Sequence, residues 1–144
     1  MSLPQNTEKY YLVCLLTVWL FSLGLMSKFQ LLGILEIQNH DTYFIFGNDQ
    51  LIVYTAIELT VAYVLSYALS NIAAINIALK YTSLTVLVLL CLGMLLLFVY
   101  VYFLSLYVNH GSVYAISGLL TIIMGIAGLF LARFVEIYRK TVSN

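Results

Sequence analysis

Charge is what this chain has least of. Of its 144 residues, six are Lys or Arg and six are Asp or Glu, 8% in all, where a soluble domain carries roughly a quarter. A chain this apolar cannot cover a water-facing surface with polar groups. That excludes a soluble globule and leaves lipid as the solvent for much of the molecule. The two signs of charge cancel and no basic block is present, so there is no patch to recognise nucleic acid or an anionic surface. Cysteine is scarce too. Cys14 and Cys91 each stand inside an apolar stretch, without a second Cys or a His at ligand spacing. They read as small buried hydrophobes and say nothing about redox compartment. Only two histidines occur, and no span holds a nucleophile beside a base or two positioned carboxylates, so no catalytic residue and no bound cofactor are expected.

Long apolar runs make up the rest. Residues 10–26, 43–70, 84–108 and 113–134 are each apolar enough for a membrane span, a helix needing about 20 residues to cross a bilayer. The first run is not read as a signal peptide. Glu8 weakens the basic region that would precede it and no Ala-x-Ala-like cleavage site follows. The third run is longer than a crossing requires, which implies tilt. The expected fold is all-α, a single integral-membrane four-helix bundle over residues 1–144. Residues 27–42 form the longest loop, and the alternation of apolar and polar residues through 34–38 suggests an extended segment at the bilayer surface. The start of the second helix is open: either near Thr42, with Asn48, Asp49 and Gln50 in its outer turns, or after them at Leu51.

Four spans place both termini on one side. Lys9, Lys80, Arg133, Arg139 and Lys140 fall on that side and only Lys28 on the other. The excess of Lys and Arg predicts both termini in the cytoplasm, in a multi-pass cell (inner) membrane protein whose His40 loop faces the outer, periplasmic side.

Three groups of residues could carry a function. Glu58 lies in the core of the second span. A carboxylate in hydrocarbon is costly, so it is expected to face the bundle interior, with Tyr54 and Thr55 as hydrogen-bond partners and Asn48 and Gln50 above it. It serves either as a proton, ion or polar-ligand site or as a neutral tie between helices. His40 and His110 sit on the same outer side, with Glu36 and Asp41 near the first. Imidazole with carboxylate suits a divalent metal; alternatively both are solvated, with Asp41 capping the second helix. Ser117, Thr121 and Gly125 recur every four residues, with Gly118 and Gly128 nearby. Small residues let helices approach closely, giving an internal seam or an oligomer contact. The 12 tyrosines fit the interfacial belts of membrane proteins, where an apolar ring has a wet tip.

The run Leu35-Glu36-Ile37-Gln38-Asn39-His40-Asp41-Thr42-Tyr43-Phe44 resembles a signature of subunit I of the haem–copper oxidases. There, an L-D-I-x-x-H-D-T-Y-[YF] stretch enters a transmembrane helix from the outer side, near a bound magnesium and the haem propionates. In that family two haem-ligating histidines follow; here those positions hold Asn48 and Gln50, neither an ordinary haem ligand. The resemblance covers about ten residues and the helix after them. It implies a short relative of one piece of that subunit without its redox centre.

The function expected from these residues is that of a small non-catalytic accessory or structural component of a larger membrane complex, partnered by other subunits or by itself; the resemblance implies that a respiratory complex is one candidate. Two alternatives stand beside it. One is conduction of protons, ions or a small solute through the bundle by way of Glu58. The other is haem or metal carriage by His40 and His110.

Overall fold

The computed structural model describes residues 5–26, 34–39, 42–105 and 113–142. Four helices dominate: α1 (Gln5–Met26), α2 (Asn48–Ala73), α3 (Ile77–Ser105) and α4 (Val113–Val142). At 1.5 Å per residue even α1, with 22 residues, is about 33 Å long, enough to cross the ~30 Å hydrocarbon core. All four are apolar enough to do so. The four-helix membrane bundle read from the sequence is the fold.

The helices run further than the apolar runs that announced them. The third span, expected over residues 84–108, belongs to a helix that begins at Ile77 and so includes Lys80. Asn76 caps its start: the Asn76 side-chain oxygen accepts from the Ala78 amide at 3.3 Å. The fourth helix continues well beyond 134 and takes up Glu136, Arg139 and Lys140. Two forces favour that last stretch. Cations complement the negative end of the helix dipole, and Lys140 pairs with Glu136 one turn back at 3.0 Å.

The connection between α1 and α2 departs more from expectation. The apolar run puts residues 43–47 at the head of the second span, yet they form a strand. β1 (Ile34–Asn39) and β2 (Thr42–Gly47) pair antiparallel, with Ile34 opposite Gly47 and Asn39 opposite Thr42. The hairpin solves the problem that backbone groups face near lipid, because each strand supplies the other's hydrogen bonds. β2 passes directly into α2 at Asn48. The helix therefore starts between the two points considered, and Asp41 lies too far ahead of it to be its cap.

α4 is the central helix. Its buried residues Ile122, Ile126, Leu129, Phe130 and Ile137 pack with Leu15 of α1, Leu59 and Ala62 of α2, and Leu84 and Leu87 of α3. α4 and α1 approach closely at two glycines. A methyl added at Gly118 would lie 2.8 Å from the Ser22 carbonyl oxygen, and one at Gly125 would lie 2.6 Å from a Val18 methyl. The same contact is bonded, with the Ser22 hydroxyl donating to the Gly118 carbonyl at 3.1 Å. Gly118 and Gly125 thus sit at an internal seam with α1. Gly128 does not: a methyl there would meet open space. Thr121 turns its hydroxyl back to the Ser117 carbonyl at 2.8 Å.

Candidate functional site

The sequence directs attention to Glu58, and helix geometry decides where it points. Thr55, Leu59, Ala62 and Ser66 of α2 are buried, one position every three or four residues, and they set the inward line of the helix. Glu58 lies off that line and is exposed, as is Tyr54 one turn before it, at 58%. The expected interior carboxylate is therefore on the outer flank of α2. Thr55 is not its partner. The Thr55 hydroxyl accepts from the Trp19 indole at 2.9 Å, tying α1 to α2. Among the described residues no donor reaches the Glu58 carboxylate and no cation pairs with it.

Other polar side chains on the bundle's outer face satisfy themselves. Thr17, Thr60, Thr82 and Thr85 are exposed, and each donates its hydroxyl to the carbonyl four residues back, at 2.7 to 3.0 Å. An ionised glutamate has no such option: its carboxylate needs a donor, and the N–H groups of the helix around it are already bonded. Gln50 is also exposed. Asn48 is the first residue of α2. Gln50, Tyr54 and Glu58 therefore lie on the surface of α2 rather than along a path through the centre of the bundle.

The strongest polar constellation is one the sequence reading passed over. Arg133 of α4 is completely buried and meets Glu8 of α1 in a two-pronged pair, Nη1 to Oε1 at 2.7 Å and Nη2 to Oε2 at 2.5 Å. This edge-to-edge geometry is the strong form of an Arg–carboxylate bond. Glu136 stands beside it, 3.4 Å from Nη1. Two tyrosines complete the carboxylates' hydrogen bonds: Tyr63 of α2 donates to Glu8 at 2.9 Å and Tyr11 of α1 donates to Glu136 at 3.2 Å. The guanidinium carbon also lies 4.2 Å from the centre of the Tyr11 ring, within cation–π range. Lys140 brings the cluster to two cations and two anions. Three of the four helices meet in it, so it locks the end of the bundle that carries both termini. Arg133 Nε is the one buried side-chain polar atom without a partner among the described residues. The signal was available in the sequence. An even number of spans brings Glu8 and Arg133 to the same membrane edge, and Glu136 is one turn from Arg133.

Between α1 and α2 lies an apolar cleft of about 270 Å³, lined by Leu12, Leu16, Trp19, Ala56, Leu59 and Tyr63 among others. The Trp19–Thr55 bond lies towards one end and the Tyr63–Glu8 bond towards the other. Glu58 does not line it.

The candidate metal ligands His40, Asp41 and His110 lie outside the described residues. Glu36 is in β1, opposite Ile45. Among the described residues no group of three His, Cys, Asp or Glu could hold a metal ion. Cys14, expected to be buried, is exposed on the outside of α1 and Cys91 is half-buried; both are free. Comparison of the chain with protein-family models, with curated proteins and with solved structures found no significant match.

Proposed function

We propose that this chain is a small non-catalytic component of a larger assembly in the cell membrane. One observation carries the reading: a carboxylate on the exposed flank of α2, inside the candidate span Ile52–Ala73, with no donor from its own chain among the described residues. An acidic side chain in a span ordinarily turns inward and finds a partner. Here the bundle turns it outward, which makes sense when another protein covers it. The Arg133–Glu8 network supports the same view, since its charges are consumed in holding helices together. Both termini are assigned to the cytoplasm on the excess of Lys and Arg at their end. The likeness of His40-Asp41-Thr42-Tyr43-Phe44 to oxidase subunit I points to a respiratory assembly. Purification from native membranes in mild detergent tests the reading: co-purification of other subunits in fixed ratio is expected, and a protein that is monodisperse alone overturns it.

A further inference from the structure

Tyr54, Glu58, Val61 and Leu65 of α2 recur at intervals of four, three and four residues and are all exposed, so they form one stripe along the helix. Glu58 lies about 15 Å from the start of α2, in a helix of roughly 39 Å. The stripe is thus an apolar strip with a single carboxylate inside the candidate span Ile52–Ala73, about 9 Å from its first residue. Among the described residues the cations of this chain do not answer it. Arg133 and Lys140 are held by Glu8 and Glu136. Lys9 and Arg139 belong to the same end of the bundle, and Lys80 is in the first turn of α3. A second copy inserted in the same orientation would bring Glu58 against its own counterpart, acid against acid. Charge complementarity therefore argues for a different chain.

We propose that this stripe docks a transmembrane helix of another protein that carries a Lys or Arg at the depth of Glu58, with apolar residues one turn to either side to lie on Tyr54, Val61 and Leu65. The inference rests on the accessory reading and specifies its contact. Intramembrane acids and bases find one another because each otherwise stands uncompensated in hydrocarbon.

Two experiments test it. In the first, the full chain is reconstituted in phosphatidylcholine vesicles with synthetic leucine-based transmembrane peptides carrying a central Lys or a central Leu, and association is read by energy transfer. The Lys peptide binds at least about tenfold more tightly than the Leu peptide. Glu58→Gln abolishes the difference and Glu58→Asp retains it. Equal binding of the two peptides, or indifference to Glu58→Gln, overturns the proposal. In the second, a photoreactive residue replaces Val61 or Leu96, a residue of α3 that is also exposed, in native membranes. An adduct from position 61 with a helix bearing a Lys or Arg at the depth of Glu58 is expected. An adduct with a second copy, or with a helix lacking a basic residue, overturns the proposal. Adducts from position 96 but none from 61 overturn the α2 site while leaving the assembly standing, and adducts from neither position overturn both.

Discussion

Arg133 and Glu8 are 125 positions apart in the chain and share two parallel hydrogen bonds, with the guanidinium fully buried. The pair joins the first helix to the last. Removing one partner of such a pair leaves the other charged and buried, which costs roughly 3–5 kcal/mol. Glu8→Gln strands the buried guanidinium and should approach that cost, while Arg133→Met, which leaves a partly exposed carboxylate still bonded to Tyr63, should cost less. The double variant should lose less than either single one, because neither charge is then stranded. Equilibrium unfolding in mixed micelles, arranged as a double-mutant cycle, measures the coupling; additive losses would show that the pair does not act as a unit.

Gly118, Gly125 and Gly128 give three different outcomes from one substitution. Gly118→Ala drives a methyl towards the Ser22 carbonyl, a backbone atom that cannot swing aside, and should cost about 1–3 kcal/mol. Gly125→Ala meets a Val18 methyl instead and should cost less, since a side chain can yield. Gly128→Ala, with open space around it, should stabilise the helix by roughly 0.5–1 kcal/mol. The same unfolding assay ranks the three.

Trp19 is the only tryptophan in the chain, and its indole is bonded to Thr55. Thr55→Val keeps the shape and removes the acceptor. Interhelical hydrogen bonds in membrane bundles contribute about 0.6 kcal/mol on average, so a loss of that order is expected. Trp19 fluorescence provides the unfolding signal, and Thr55→Ser should largely preserve stability.

The assignment of both termini to the cytoplasm has a direct check. A fluorescent protein fused after Asn144 should be bright, because it folds in the cytoplasm, and a phosphatase that needs the periplasm should be inactive at the same position. The reverse pattern would invert the orientation and put the Arg133–Glu8 end outside.

The helices were legible because length and apolarity are local properties: each run of residues states by itself that it can cross a bilayer. Direction is not local. The outer face of α2 carries valine, leucine, isoleucine and tyrosine, while its buried line is Thr55, Leu59, Ala62, Ser66, Ser70 and Ala73, so hydropathy does not mark the inward side. Nothing in its pattern says that Thr55 and Leu59 turn inward while Glu58 turns out; that depends on where α4 packs. The hairpin was hidden for a related reason. The alternation in 34–38 was read correctly as extended chain, but Thr-Tyr-Phe-Ile-Phe-Gly is a short apolar run that fits a helix start as well as a strand. Only its pairing with β1 decides. The Arg133–Glu8 network was missed because both residues were counted as charges at a membrane edge, where solvation is the simpler expectation.

The central place of α4 also sets an order of events in biosynthesis. Chains emerge from the N-terminus, so α1, the hairpin, α2 and α3 are all made before the helix they pack around. Glu8 must enter or approach the membrane long before Arg133 exists to neutralise it. Until α4 arrives, Gly118 and Gly125 are not there to receive α1, and Tyr63 has an acid but no guanidinium beside it. The bundle therefore closes in its final step, and a chain that stops short of α4 holds three apolar helices and an unpaired acid, a product suited to recognition by membrane quality control.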